Sequence, residues 1–235
     1  MTLAKNHLIA LLLLLTACSY LPEEDTDMTD VIVKENLDYI EIQPIREAKS
    51  ATGLIFYPGG LVDPHAYVGL ASRFAQSGVG HRVIIVKMPA NLAILGSKSA
   101  DKILGKEEDL QWVIAGHSLG GVMACSMVEA EPTLFEGLVL MASYSASSND
   151  LVDWEGAVLS IAASEDQVMD WDSYEESKKR LPSTSKFMVI QGGNHGGFGS
   201  YGNQKGDGEA IISLEAQQQL IVEYLQEFYE NNALE

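Results

Sequence analysis

Short apolar runs alternate with segments of helical periodicity along most of the chain. The runs are bounded by Gly, Pro or polar residues, which is typical of buried strands. The segments between them carry apolar residues every three or four positions, as in Leu214–Phe228, for which Ser213 is the expected N-cap. The pattern predicts strands at Tyr39–Ile42, Leu54–Tyr57, Arg82–Met88, Trp112–Ala115, Gly137–Ala142, Gly156–Ala162 and Lys186–Gln191, and helices at Pro64–Ser77, Asn91–Lys106, from Val122, Trp171–Leu181 and Leu214–Phe228. This alternation predicts an α/β domain in which helices cover both faces of a mostly parallel sheet, with Tyr39–Ile42 at an edge.

The first 30 residues depart from this pattern. A basic start precedes the apolar run Leu8–Leu15, and small residues follow it, which is typical of a secretory signal too short to span a membrane. Leu-Thr-Ala-Cys at 15–18 resembles the bacterial lipobox, in which the cysteine is lipidated and becomes the new first residue. We therefore expect a lipoprotein signal peptide at 1–17, a lipid on Cys18, and export to the cell envelope with a lipid anchor in a bacterial membrane. A plain secreted protein and an uncleaved anchor are the alternatives.

Residues 18–30 are rich in acids and poor in apolar side chains, so we expect a flexible tether there and a domain at 31–235. That length suits one α/β domain. With 33 acidic and 15 basic residues, the net charge is −18, which argues against nucleic-acid binding and against electrostatic attraction to anionic lipid. If Cys18 lies outside the fold, Cys125 has no disulfide partner.

Candidate chemistry centres on Gly116-His117-Ser118-Leu119-Gly120, which follows an apolar strand and precedes a helical run. This is the G-x-S-x-G pattern in a strand–turn–helix context, in which a strained turn exposes the serine hydroxyl. The flanking glycines allow the strand and the helix to approach each other closely. Ser118 is therefore the candidate nucleophile.

A serine nucleophile needs a base, and the base needs a carboxylate. Among the histidines, His195 lies between glycines directly after the last predicted strand, whereas His117 adjoins Ser118 on a turn whose successive side chains point apart. Asp166 follows the strand before it and is the predicted carboxylate, with Glu165 as the alternative. The order Ser118, Asp166, His195 is that of α/β-hydrolases.

An oxyanion hole needs two N–H donors. One is expected from Leu119, the residue after the nucleophile. The other is expected from the Gly-rich loop after Tyr57, where Gly60 is the first choice and Leu61 the next.

With these motifs in hand, the chain resembles the α/β-hydrolase superfamily. The matching stretches are P-G-G-L-V-D-P at 58–64, G-H-S-L-G-G at 116–121, S-E-D-Q-V at 164–168 and G-N-H-G at 193–196. The chain looks most like small, lidless bacterial members near the dienelactone hydrolase branch. It differs from that branch by Ser118 in place of a cysteine nucleophile, and Pro58 stands where many members have histidine.

The resemblance implies hydrolysis of a carboxylic ester or related acyl bond of a small molecule through an acyl-enzyme, without a cofactor. No metal-ligand spacing occurs in the sequence. An acyltransferase on the same triad and a non-catalytic binding lipoprotein of the envelope are the alternative functions. Phe198 and Tyr201, in the Gly-rich stretch 196–208, could form a pocket wall or hold His195, and a surface loop is an equally good interpretation.

Overall fold

An eight-stranded sheet organises the part of the chain that the computed structural model describes, which is residues 20–22, 28–46, 51–79, 82–96, 99–104 and 110–234. The predicted signal peptide and Cys18 lie outside these residues. The strand order is β1-β2-β4-β3-β5-β6-β7-β8, with β1 and β2 antiparallel to their neighbours and all other pairs parallel. The strands are β1 Val31–Glu35, β2 Tyr39–Pro44, β3 Thr52–Tyr57, β4 Val83–Val86, β5 Gln111–His117, β6 Gly137–Met141, β7 Ala157–Ala163 and β8 Lys186–Ile190.

Helices cover both faces of the sheet, as predicted. They are α1 Val68–Gln76, α2 Asp101–Leu104, α3 Leu119–Ala130, α4 Trp171–Ser177 and α5 Leu214–Asn231, and a 3-10 turn at Pro64–Tyr67 leads into α1. One apolar cluster joins α1 and α5 to one face, and a second cluster joins α3 to the other. Ser213 caps α5 by accepting a hydrogen bond from the Ala216 N–H. The mostly parallel α/β fold is therefore confirmed.

Two predictions about elements were wrong. Tyr39–Ile42 is not an edge strand, because β1 pairs with its outer side. In β1 only Val31 is buried, so the strand has no apolar run to reveal it. The described part of Asn91–Lys106 is not one helix: a 3-10 turn at Ala93–Leu95 precedes the short α2, and Gly96 separates them.

The carboxyl ends of the parallel strands carry the candidate site residues. Ser118 follows β5, Asp166 follows β7 by three residues, and His195 lies in the loop after β8. In parallel sheets, ligands bind beyond these strand ends. Residues 142–156, which link β6 to β7, contain no helix or strand that could form a large lid.

Within the residues described, every helix is too short or too polar to cross a bilayer.

Candidate active site

Ser118 sits on a sharp turn between β5 and α3. Its φ of 52° and ψ of −124° are rarely adopted by a residue with a side chain. Two neighbours fix this conformation: the Ser118 N–H donates to the Met141 carbonyl at 2.9 Å, and the Ser118 carbonyl accepts from Ser143 Oγ at 2.7 Å. The strain is therefore held by the adjacent strand end, and Ser118 remains partly exposed.

The two glycines of the motif are required by backbone contacts. A Cβ on Gly116 would lie 2.4 Å from the backbone of Gly120 and Gly121, and a Cβ on Gly120 would lie 2.1 Å from the Tyr57 carbonyl oxygen. Neither contact is possible for a real side chain, and backbone atoms cannot move aside as a flexible side chain can. Helix α3 can therefore start immediately behind Ser118 and against the end of β3.

Asp166 and His195 form a buried pair. His195 Nδ1 lies 2.8 Å from Asp166 Oδ2, and the two residues are 1% and 2% exposed. The other carboxylate oxygen accepts the N–H groups of Val168 and Met169, both at 2.8 Å. Because a carboxylate only accepts, Nδ1 donates the proton of this hydrogen bond, which leaves Nε2 as the nitrogen that can accept a proton. Glu165, the alternative, instead accepts from the Ser164 hydroxyl.

No hydrogen bond between the side chains of His195 and Ser118 is present among the described residues. His195 Nε2 is buried and has no hydrogen-bond partner among the described residues. Catalytic hydrogen bonds in ligand-free sites are often long or misaligned and shorten when substrate binds. The free acceptor belongs to the residue that the sequence assigned as the base.

The loop after β3 leaves one N–H group free. Among residues 59–63, the Gly60 N–H has no hydrogen-bond partner in the described chain. Gly60 also lies against Leu119, since a Cβ built on it would be 3.2 Å from Leu119 Cδ2. As the first residue of α3, Leu119 has an N–H without an intrahelical acceptor. The other N–H groups of the loop are bonded: Gly59 to the Tyr67 hydroxyl at 3.0 Å, Leu61 to the Asn91 carbonyl at 2.7 Å, Val62 to the Gly59 carbonyl at 3.2 Å, and Asp63 to the Tyr20 carbonyl at 2.9 Å.

Tyr67 links this loop to the residue before Ser118. Its hydroxyl accepts the Gly59 N–H and donates to His117 Nδ1 at 2.8 Å. Burial raises the pKa of Tyr67 well above its ordinary range, so the hydroxyl keeps its proton. Burial also holds the pKa of His117 well below its usual value, and the neighbouring His195 ring adds to this effect. His117 is therefore neutral, and it lies beneath the site, 4.6 Å from His195 between ring centroids.

The glycine-rich segment after β8 is packed into the protein. Phe198 is fully buried and stacks on His117 with ring centroids 5.6 Å apart, and Tyr201 is 3% exposed. The expectation of a surface loop is therefore wrong at both positions. Asp207, in the same segment, accepts the backbone N–H groups of His195 at 3.3 Å and Gly196 at 2.8 Å.

Sequence reasoning missed Tyr67, Ser143 and Asp207. Tyr67 occupies an apolar position in the predicted helix, so its hydroxyl gave no signal. Ser143 lies in a polar loop. Asp207, a lone acid between glycines, was the one visible hint, because a carboxylate in such a segment can bind exposed backbone N–H groups.

One cleft in the described part of the chain lies away from Ser118. A cleft of about 310 Å³ opens between the segment 194–203 and the start of α5, and none of Ser118, Asp166 and His195 lines it. In the described residues, no group of three or more His, Cys, Asp or Glu side chains is arranged to hold a metal ion.

Comparison with known proteins agrees with this architecture. The structure of dienelactone hydrolase from Anabaena variabilis is similar at 11% identity and a TM-score of 0.60, covering 86% of this chain and 99% of that chain. Est1E from Butyrivibrio proteoclasticus with bound ferulic acid is similar at 11% identity and a TM-score of 0.62, covering 88% and 100%. MGS-MChE2, an alpha/beta hydrolase enzyme from lagoon sediments of Mar Chica in Morocco, is similar at 16% identity and a TM-score of 0.60, covering 83% and 98%. No curated protein matches the chain in sequence.

At such low identities the structural likeness concerns the fold alone. The sequence itself matches the model of the alpha/beta hydrolase family over residues 53–219, from β3 into α5. That span contains the turn at Ser118 and both members of the Asp166–His195 pair. The chain belongs to the alpha/beta hydrolase family.

Proposed function

We propose that this protein is a serine hydrolase that cleaves carboxylic esters or related acyl bonds through an acyl-enzyme. The observation that carries the proposal is the buried Asp166–His195 pair, whose free Nε2 belongs to the same strand-end site as a strained, partly exposed serine. His117 Nε2 is likewise buried without a hydrogen-bond partner among the described residues, but it is the His195 ring, not the His117 ring, that is paired with a carboxylate. Such a pairing suits a general base.

In the proposed reaction, the Ser118 hydroxyl attacks the acyl carbonyl while His195 Nε2 takes its proton. The new oxyanion is stabilised by the N–H groups of Leu119 and Gly60. The imidazolium, stabilised by Asp166, then protonates the leaving alcohol as the C–O bond breaks. Water, deprotonated by His195, attacks the acyl-enzyme in turn, releasing the acid and restoring the serine. The residues account for this chemistry without a cofactor.

A fluorophosphonate probe and a panel of p-nitrophenyl esters of increasing chain length test the proposal. The wild-type protein should be labelled and should hydrolyse some of the esters. Ser118→Ala should lose labelling and at least about 10⁴-fold in kcat. Ser126→Ala, which removes a hydroxyl further along α3, is the matched control and should behave as wild type. Equal labelling of Ser118→Ala, or no labelling and no ester turnover across the pH range, would refute the proposal.

We further propose that Cys18 carries a lipid that anchors the protein to a bacterial membrane in the envelope. The support is the lipobox-like Leu-Thr-Ala-Cys after a short apolar run. A signal of this kind gives anchoring without a spanning helix. Cys18→Ser should move the full-length protein from the membrane fraction to the soluble fraction, and continued sedimentation with membranes would refute the anchor.

A further inference from the structure

Tyr20 is attached to the candidate oxyanion loop, although it lies in the segment expected to be a flexible tether. It forms a parallel bridge with Val62. Its N–H donates to the Leu61 carbonyl at 2.8 Å, and its carbonyl accepts the Asp63 N–H at 2.9 Å. These backbone bonds fix Tyr20 to the residue next to Gly60.

The side chain of Tyr20 contacts the second loop of the site. Its ring lies 5.4 Å from the ring of Tyr201 between centroids, and its hydroxyl accepts the Lys205 N–H at 3.3 Å. Tyr201 in turn lies 6.3 Å from the ring of His117, the neighbour of Ser118. Tyr20 therefore joins the loop that carries Gly60 to the segment that follows His195.

The covalent chain limits how far Cys18 can lie from this position. Two residues span at most about 7 Å from Cα to Cα, whatever their conformation. A lipid on Cys18 would therefore be held close to Tyr20. A free tether over 18–30 would instead let the domain move over a range of about 20 Å from the membrane.

We propose that Tyr20 fixes the lipid anchor beside the opening of the active site, so that the enzyme acts on acyl esters presented at the membrane surface. This inference rests on the proposed hydrolase function and on the lipid at Cys18. The net charge of −18 gives the domain no electrostatic attraction to an anionic bilayer. The proposal therefore assigns the orientation of the site to the anchor and its attachment at Tyr20.

The same flexible linker, inserted at either of two positions, distinguishes this arrangement from a free tether. A Gly/Ser linker of about twelve residues, with a root-mean-square length of about 20 Å, is inserted either between Ser19 and Tyr20 or between Pro22 and Glu23. The first insertion separates the anchor from the attached Tyr20. The second lengthens the chain equally but leaves Cys18 two residues from Tyr20. A free tether predicts the same effect for both.

The lipidated full-length proteins are reconstituted in phosphatidylcholine vesicles that contain a fluorogenic long-chain ester, and a water-soluble short-chain ester is assayed in parallel. Insertion before Tyr20 should reduce turnover of the vesicle ester roughly tenfold, because the effective concentration of the anchored substrate falls with tether length. Insertion after Pro22 should leave it near wild type. Turnover of the soluble ester should be the same in all three proteins.

A distance measurement provides a readout that is independent of activity. Asn203→Cys labels an exposed residue of the segment that follows His195, and Thr184→Cys labels an exposed residue just before β8, at the opposite end of the strands, while Cys125 is buried. Energy transfer to a membrane dye should be stronger from position 203 than from 184. Insertion before Tyr20 should remove this difference, and insertion after Pro22 should preserve it.

The outcomes distinguish the two levels of the argument. Loss of vesicle-ester turnover and of the distance difference only with the insertion before Tyr20 supports the inference. Any other pattern, with soluble-ester turnover intact, overturns the placement of the anchor but leaves the hydrolase proposal standing. Absence of soluble-ester turnover in the wild-type protein contradicts the proposed function itself.

Discussion

Replacing Tyr67 by Phe removes a single oxygen atom that holds together two parts of the candidate site. That oxygen accepts the Gly59 N–H at 3.0 Å and donates to His117 Nδ1 at 2.8 Å, and Tyr67 is 1% exposed. The ring remains in the variant, so its packing against Phe56, 4.8 Å away between centroids, should persist. The effect of the substitution should therefore arise from the two lost hydrogen bonds.

The magnitude follows from burial. Each buried donor or acceptor left without a partner costs about 1–3 kcal/mol, so the loss of two partners should lower the free energy of unfolding by about 2–6 kcal/mol. The Gly59 N–H loses its acceptor next to Gly60, whose own N–H is the proposed oxyanion donor. Since one such donor is worth about 10²–10³ in rate, partial displacement of the loop should lower kcat by about 10–100-fold. KM should change little, because the oxyanion forms only in the transition state.

Urea unfolding measures the stability, and ester kinetics measure kcat and KM. Tyr229→Phe is the matched control, because Tyr229 is equally buried but its hydroxyl makes, among the described residues, only a long 3.5 Å bond to the carbonyl of Gly53, which lies near the start of β3. It should lose less than about 1 kcal/mol and keep its kcat. If Tyr67→Phe matched Tyr229→Phe in both stability and kcat, the hydroxyl would not organise the oxyanion loop.

Two further predictions concern the buried groups of the site. Asp166→Asn should remain folded and lose about 10⁴-fold in kcat, because an amide no longer fixes the His195 tautomer, whereas Glu165→Gln should keep wild-type ester kinetics; equal effects would refute the assignment. His117 has a pKa below that of the unfolded chain, so the unfolded state binds more protons and stability falls as pH drops below about 6.5, by up to about 1.4 kcal/mol per pH unit. In urea unfolding between pH 5 and 7, His117→Asn should flatten this slope. His65→Asn should not flatten the slope. Although partial burial lowers the pKa of His65, its partners Asp63 and Glu35 raise it overall, so the stabilisation from His65 is present at low pH and is lost as pH rises. An unchanged slope in His117→Asn would contradict this reasoning.

The sequence predicted the elements that are continuous and buried. Strands β3 to β7 were found because their apolar runs reflect burial on both faces, and β8 was found from its apolar run although only Ile190 is fully buried there. Strand β1 was missed because only Val31 is buried and its pairing with β2 depends on backbone bonds that composition does not reveal. The helix expected over 91–106 failed because periodicity does not record that the backbone is extended at Leu92 and leaves the helical conformation again at Gly96.

In the candidate site, too, local features could be predicted from the sequence and contacts between distant residues could not. The turn at Ser118 is local, so its motif and its glycines could be read directly from the sequence. Asp166 was preferred over Glu165 only for its place in the loop, because the sequence does not reveal which carboxylate the Val168 and Met169 N–H groups orient toward His195. Tyr67 was invisible for a related reason: the partners of its hydroxyl are distant in the chain.

The hydrogen bonds of the loop at residues 59–63 have a consequence for how the protein matures. Three of its four bonded N–H groups are held by Tyr67, Asn91 and Tyr20, which belong to three separate segments of the chain. A partly folded molecule can contain the helices and strands while the loop at residues 59–63, which carries the proposed oxyanion donor, is not yet in place. Recovery of the proposed ester hydrolysis during refolding should therefore be slower than the recovery of far-ultraviolet circular dichroism, and simultaneous recovery would show that the loop assembles without those distant contacts.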